Sequence, residues 1–261
     1  MKLTQILMQS FILLWRKPKL FLPRLVTTFL YTSYFILLAY FTIDLRYLFL
    51  QSDRYLIEHM LPRIAFLLIV SIILYFIDII SYAMYSALVR DYHRGEKIDL
   101  LNALKESINT WKSLLFLGLL SFGILLIIIL LLSFSIFTAF ILNNLYLLLP
   151  SIFIVLFIIL IFLVLMFFVI PVAIIEKKGT FQSIKESFNL GIKYRNDLLL
   201  INMFFMTLIL ITFLILMVTE MDIGDIVAIS ALFLFIIARI FQAVIYTYIC
   251  VVNPYFYLVR K

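Results

Sequence analysis

The stretch Lys105-Glu106-Ser107-Ile108-Asn109 recurs 80 residues later as Lys185-Glu186-Ser187-Phe188-Asn189, and each copy lies on a charged segment between long apolar runs. A motif repeated at a fixed offset indicates an internal structural repeat. The arrangement predicts an all-α membrane protein built from units of one amphipathic helix followed by two membrane spans. A fainter copy lies at Gln9-Ser10-Phe11. The units are then roughly 1–90, 91–175 and 176–261 of a single membrane domain.

The composition favours a bilayer as the solvent for most of the chain. Hydrophobic residues make up 66% of the 261 residues, charged residues only 13%, and the mean hydropathy is +1.20. An average soluble domain carries about 25% charged residues. The net charge of +7 lies mainly in short loops, which favours membrane orientation over nucleic-acid binding as its cause. We therefore expect the lipid bilayer as a partner, a membrane or cytoplasmic protein as a further partner, and no nucleic acid.

Six apolar runs are long enough to cross a hydrocarbon core of ~30 Å, which takes about 20 helical residues. They do not alternate polar and apolar residues as the strands of a membrane barrel do. We predict a bundle of six transmembrane helices at Leu25–Ile43, Ile64–Val89, Leu114–Leu142, Pro150–Ile175, Leu198–Val218 and Ile226–Val252.

The segments that carry the motif have the period of an amphipathic helix. In the first copy Leu101, Leu104 and Ile108 fall on one face, and Asp99 is the predicted N-cap. The second copy repeats the pattern after Thr180, its predicted N-cap. With the fainter copy, two or three such helices are expected at the cytoplasmic interface. The favoured interpretation is structural, a seal over the ends of the spans, and the alternative is docking of lipid headgroups or a partner protein.

The distribution of basic residues predicts the orientation. Five lysines or arginines precede the first run, five follow the second, five follow the fourth and two end the chain. The loops on the opposite side carry three basic residues, Arg46, Arg54 and Arg63, and an acidic group at Glu220, Asp222 and Asp225. Because cytoplasmic loops are enriched in lysine and arginine, we predict a multi-pass protein of the cell membrane with both termini in the cytoplasm.

Two charged residues, Asp78 and Arg239, lie well inside predicted spans. A charge near mid-bilayer costs at least ~2.5–3.5 kcal/mol, so each needs a partner or water. Both have polar neighbours at helical spacing, and the two stripes predict a polar seam between the second and sixth spans. Its members are Tyr75, Asp78, Tyr82, Tyr85, Arg239, Gln242 and Tyr246. Three interpretations stay open: a structural ion pair, a path for substrate or protons, and separate partners for the two charges.

The functional prediction is a non-enzymatic membrane module that organises lipids or a partner protein. The alternative is a small transporter or permease subunit that uses the Asp78/Arg239 seam. Transporters commonly have broken helices at the binding site, and the runs contain one internal proline, Pro171, without a mid-span Gly-Pro break. Common nucleophile, phosphate-loop and metal-helix motifs are missing from the sequence, so we expect no catalysis and no cofactor.

The stretch Pro171-Val172-Ala173-Ile174-Ile175-Glu176-Lys177-Lys178-Gly179, followed by Ser183-Ile184-Lys185-Glu186-Ser187-Phe188, resembles the membrane domain of the glycerophosphoryl diester phosphodiesterase family. It is also similar to related uncharacterised polytopic families of bacteria and archaea. In these families a proline-bearing span ends in Glu and Gly before an amphipathic helix with a serine. The phosphodiesterase chemistry belongs to a separate soluble domain, so the resemblance implies a six-span membrane module rather than that activity.

The orientation is testable with reporter fusions. A reporter that is active only in the cytoplasm should be active when fused after Lys261. An even number of spans puts this terminus on the side of the N-terminus, which the basic residues assign to the cytoplasm. The same reporter inserted after Arg54, in the predicted outer loop, is the matched control and should be silent. Activity only in the Arg54 fusion would reverse the predicted orientation.

Overall fold

The computed structural model describes residues 2–48, 53–141, 146, 148–223 and 229–261. Within these residues the chain is helical and forms no strand. A 3₁₀ turn, Pro18–Phe21, joins the first two helices. The helices are α1 (Leu3–Arg16), α2 (Leu22–Leu48), α3 (Asp53–His93), α4 (Leu100–Asn109), α5 (Trp111–Ile141), α6 (Leu148–Met166), α7 (Val169–Ile175), α8 (Thr180–Lys193), α9 (Arg195–Ile223) and α10 (Ile229–Arg260).

The predicted number of spans is confirmed, because six segments are long and apolar enough to cross a bilayer. The span ends predicted at Leu142 and Ile226, and the side chains of the acidic group at Glu220, Asp222 and Asp225, lie outside the described part of the chain. The segments cover Pro18–Phe41, Leu61–His93, Trp111–Ile141, Leu148–Ile175, Arg195–Ile215 and Phe235–Arg260.

The last span extends further than its hydropathy predicted. Hydropathy ended it at Val252, whereas α10 continues through Pro254 to Arg260. The extra turns are packed rather than solvated, since Phe256 stacks on Phe168 with 5.7 Å between ring centroids. Tertiary packing therefore carries the helix past the proline.

The buried core lies at one end of the bundle. We call this the basic end, formed by α1, α4, α8 and the last turns of α3, α7 and α10. Its largest fully buried side chains include Tyr85, Phe168, Phe256 and Tyr257. Elsewhere the spans expose large apolar side chains, such as Phe134, which is 70% exposed. Such a surface is compatible with acyl chains as its solvent, and the six apolar helices fit a multi-pass membrane protein.

The three short helices of the basic end each pack on a span that ends there. Helix α1 packs on α10, α4 on α3, and α8 on α6 and α7. On α4 and α8, small or hydroxyl side chains form the contacting faces and are fully buried: Ala103, Ser107, Ser183 and Ser187. On α1, the buried Ser10 lies among the larger Ile6, Leu13 and Leu14. Small faces allow the helix backbones to approach the spans closely.

Each of these helices also carries large apolar side chains on its exposed side. Trp15 on α1 is 82% exposed, Leu101 on α4 is 62% exposed and Phe181 on α8 is 77% exposed. The amphipathic face predicted from Leu101, Leu104 and Ile108 is therefore directed away from the protein core. It is available to the surrounding medium.

The structure confirms one of the two predicted caps. Asp99 accepts hydrogen bonds from the N–H groups of Leu101 and Asn102 at the start of α4. The prediction for Thr180 is wrong, because Gly179 is the N-cap of α8. The Thr180 hydroxyl instead donates to Ser113 Oγ on α5 at 2.7 Å, which links α8 to the third span.

The close approach of α8 to α6 can be tested at Gly191. A Cβ added there would lie 2.9 Å from the carbonyl oxygen of Val164 on α6, a backbone atom that cannot move alone. Gly191→Ala should therefore lower the free energy of unfolding by about 1–3 kcal/mol. Thermal unfolding in detergent micelles measures the change.

Gly123 on α5 is the matched control, since a Cβ added there meets nothing within 4 Å. Gly123→Ala should leave the stability unchanged or raise it slightly, because alanine favours the helix. Equal destabilisation by the two substitutions would contradict close packing at Gly191.

Candidate functional site

Asp78 on α3 forms an ion pair with Arg24 on α2. This contact supports the interpretation that Asp78 and Arg239 have separate partners. Sequence reasoning assigned Arg24 to the basic segment before the first apolar run. In the structure Arg24 lies within the first span and is only 9% exposed. Its Nε also donates to Sγ of Cys250 on α10 at 3.4 Å. One arginine thus joins α2, α3 and α10.

Arg239 lies on α10 eleven residues before Cys250, which is about 16 Å away along the helix axis. Its Nη1 donates to Oε1 of Gln242 at 3.1 Å. The guanidinium lies 4.4 Å from the ring centroid of Phe35 and 4.9 Å from that of Phe235. Aromatic faces stabilise a desolvated cation. Arg239 therefore belongs to a separate polar cluster from the Arg24–Asp78 pair.

Both clusters nevertheless line one cavity of about 630 Å³, which we call the arginine cavity. Hydroxyl and aromatic side chains of α2 form one wall, and Ile209 and Phe213 of α9 form the other. Phe213 is 59% exposed, so the cavity opens to the outside of the bundle. The polar lining residues are Arg24, Thr27, Thr28, Tyr31, Asp78, Arg239, Gln242 and Tyr246.

The three tyrosines that α3 contributes to the predicted seam bond to different neighbours. The Tyr75 hydroxyl donates to the carbonyl oxygen of Gly118 on α5 at 3.2 Å, and that of Tyr85 donates to the 3₁₀ turn at 2.8 Å. The hydroxyl of Tyr82 accepts from Nδ2 of Asn253 on α10 at 2.5 Å. Since α3 packs against α2, α5, α7 and α10, one stripe along it faces several helices. Through Asn253, Tyr82 is hydrogen-bonded to the sixth span.

The repeat motif makes structural contacts at the basic end. Glu106 accepts hydrogen bonds of 2.8 and 3.1 Å from the guanidinium of Arg90, at the end of α3. Glu186 forms an ion pair with Lys178, in the loop after α7. These contacts favour the structural interpretation of the motif. Its remaining polar side chains are exposed: Lys105, Asn109, Lys185 and Asn189.

The fourth span is broken between α6 and α7, at Phe167 and Phe168, just before Pro171, a residue type that kinks helices. Pro171 has no N–H to bond the Phe167 carbonyl four residues earlier, so that oxygen needs another donor. Nδ2 of Asn253 supplies it at 2.8 Å. Ser187 Oγ accepts from the Phe168 N–H at 3.1 Å and donates to a carbonyl in the last turn of α6 at 2.7 Å. Pro171 was the sequence signal for the break, but Ser187 and Asn253, which bond the freed backbone groups, lie on other helices.

A second large cavity, of about 790 Å³, lies at the basic end between α2, α3 and α4. We call it the lysine-rimmed groove, because the exposed Lys19 and Lys97 lie at its edge. Ser81 lies on its inner wall, and its buried Oγ has no hydrogen-bond partner among the described residues. The apolar lining residues are Leu22, Pro23, Val26, Ile77, Ile80, Met84, Ile98, Leu100, Leu101, Leu104 and Ile108.

Comparison of the chain with protein-family models, with curated proteins and with solved structures finds no match. The resemblance of residues 171–188 to the glycerophosphoryl diester phosphodiesterase membrane domain therefore stays a prediction. The functional interpretation rests on the geometry of the two cavities and the helix break.

The Arg24–Asp78 ion pair can be tested with a double-mutant cycle. Arg24→Gln or Asp78→Asn alone should lower the free energy of unfolding by about 3 kcal/mol, since each leaves a poorly hydrated charge without its partner. The double variant should be less destabilised than the sum, with a coupling of about 2 kcal/mol. Unfolding in mixed micelles measures all three.

The matched control is the more exposed pair of Arg260 and Asp197, whose side chains are 26% and 32% exposed. A cycle with Arg260→Gln and Asp197→Asn should give a coupling below about 1 kcal/mol. Additive effects at Arg24 and Asp78 would contradict the assigned partner.

Proposed function

We propose that the protein is a non-enzymatic membrane module that binds and organises anionic phospholipid at the cytoplasmic face of the cell membrane. The observation that carries this proposal is the lysine-rimmed groove. It combines an apolar wall, long enough to involve three helices, with two ammonium groups at one edge. A phospholipid has the matching arrangement of acyl chains below a phosphate.

The chemistry of the groove favours an anionic headgroup. Lys19 and Lys97 are exposed, so their ammonium groups are accessible to a phosphate. Each basic residue near an anionic leaflet contributes about 1 kcal/mol of attraction. Asp99 also lines the groove, but its carboxylate is engaged by the first N–H groups of α4. The edge of the groove is therefore positive on balance.

The basic end is suited to the headgroup region of a bilayer. Helices α1, α4 and α8 expose large apolar side chains, as interfacial helices do on their lipid side. The charged segments around them carry most of the basic residues, which supports a cytoplasmic location for this end and for both termini. Lipid in the groove would then contact the inner leaflet.

We also propose that the chain consists of three repeated units in a closed arrangement. Each unit has one short helix and two spans: α1 to α3, α4 to α7, and α8 to α10. Helices α4 and α8 pack on the second span of the preceding unit, and α1 packs on that of the last unit. The motif serines Ser10, Ser107 and Ser187 are fully buried in all three. This pattern supports the fainter copy at Gln9-Ser10-Phe11.

The groove can be tested by native mass spectrometry of the purified protein in detergent with added phosphatidylglycerol. Lys19→Gln combined with Lys97→Gln should reduce phosphatidylglycerol adducts several-fold, because both ammonium groups at the groove are lost. Adducts with zwitterionic phosphatidylcholine should change little.

Lys105→Gln combined with Lys112→Gln is the matched control, since both lysines are exposed and outside the groove lining. This variant loses the same net charge and should retain wild-type adducts. Equal losses in the two double variants would reduce the effect to net charge and contradict the groove as the binding site.

The second candidate function is a small transporter or permease subunit, and the arginine cavity favours it. The cavity places Asp78, Arg239 and Gln242 around one space inside the bundle, as a substrate path requires. The broken fourth span is a further feature found in transporters. A substrate path through this cavity would pass the Arg24–Asp78 ion pair as well as Arg239.

Water access to the arginine cavity separates the two candidates. A charged, water-soluble thiol reagent should modify Thr28→Cys, on the cavity wall, if the cavity carries aqueous substrate. Val244→Cys, which is exposed outside that lining, is the control, and native Cys250 is buried. Modification at position 28 alone would support transport. Protection of both cysteines would favour a lipid-filled cavity and contradict an aqueous path.

A further inference from the structure

A smaller cavity, of about 160 Å³, lies beside the break in the fourth span, between α3, α6, α9 and α10. We call it the break cavity. Its walls are mostly apolar, but three polar side chains line it: Tyr82, Asn202 and Asn253. It shares no lining residue with the arginine cavity or the lysine-rimmed groove.

Two polar atoms at this cavity lack a hydrogen-bond partner among the described residues: Nδ2 of Asn202 and Oδ1 of Asn253. Both residues are deeply buried, at 3% and 4% exposed. A buried polar group without a partner is strongly unfavourable, so native proteins usually supply one, often an ordered water. The two side chains therefore indicate a bound molecule.

The available groups define what that molecule must be. Nδ2 of Asn253 already donates to Tyr82 and to the Phe167 carbonyl, which leaves its Oδ1 in need of a donor. The Tyr82 hydroxyl accepts from Asn253 and keeps its own proton to donate. Asn202 offers a further donor through Nδ2. The occupant must therefore both accept and donate hydrogen bonds.

Charge and size narrow the choice. Among the described residues, none that lines the cavity is ionised, so a bare ion would have no counter-charge there. An apolar occupant would leave both amides unpaired. A water molecule occupies about 30 Å³ in the liquid, so the cavity has room for a small cluster.

We propose that the break cavity is a hydration site, holding ordered water that bridges Asn202, Asn253 and Tyr82. The water completes the polar network that holds the broken fourth span, since Asn253 also bonds the Phe167 carbonyl. The site depends on neither of the proposed functions, because it lies apart from both larger cavities.

X-ray hydroxyl-radical footprinting of the protein in lipid nanodiscs tests the site, because radiolysis of bound water oxidises the side chains around it. Tyr82 and Phe205 line the cavity, whereas Tyr85 and Phe256 are fully buried and do not. We expect oxidation of Tyr82 and Phe205 to exceed that of Tyr85 and Phe256 at least five-fold. Equal oxidation rates for Tyr82 and Tyr85, and for Phe205 and Phe256, would overturn the proposal.

Asn202→Leu provides a second test, since leucine removes the donor and fills part of the space. It should reduce oxidation of Tyr82 and Phe205 at least three-fold, whereas Asn196→Leu, at an exposed position on α9, should not. Unchanged oxidation in a monodisperse Asn202→Leu protein would overturn the site. If that variant does not fold, the wild-type comparison of the two residue pairs still decides.

Discussion

The hydrogen bonds around the break in the fourth span hold the basic end together. Inside a bilayer, no water is present to bond a free backbone N–H or carbonyl group. A broken helix is therefore stable only where neighbouring helices supply hydrogen-bond partners. Ser187 from α8 and Asn253 from α10 do so here. Asn253 also bonds Tyr82 of α3. One structural irregularity therefore connects four helices and sets where α8 lies against the spans.

The molecule has two parts that differ in what covers their apolar side chains. At the basic end, aromatic and small side chains bury one another, and ion pairs such as Arg90 with Glu106 connect short helices to spans. Along the rest of the spans, large apolar side chains remain exposed and acyl chains complete the packing. The lysine-rimmed groove lies where these parts meet. That position suits a molecule with an apolar tail and an anionic head.

Sequence alone predicted the six spans, because a run of about twenty apolar residues is typical of a transmembrane helix. It also predicted the Asp99 cap, which depends only on local geometry. It missed the partner of Asp78, since Arg24 lies at the edge of an apolar run and resembles a loop residue. The hydrogen bonds that hold the break at Phe167, and the groove beside Lys19 and Lys97, depend on contacts between distant segments, which no local pattern records.

The short helices of the basic end are expected in the headgroup region, and the two tryptophans of the chain report on that location. Trp15 lies on α1 and Trp111 begins α5, and both are exposed. Quenching of their fluorescence by brominated phospholipids measures depth, with Trp15→Phe and Trp111→Phe isolating each signal. We expect the strongest quenching from bromines near the headgroups. Strongest quenching from bromines at the bilayer centre, or no quenching at any depth, would contradict the headgroup location of the basic end.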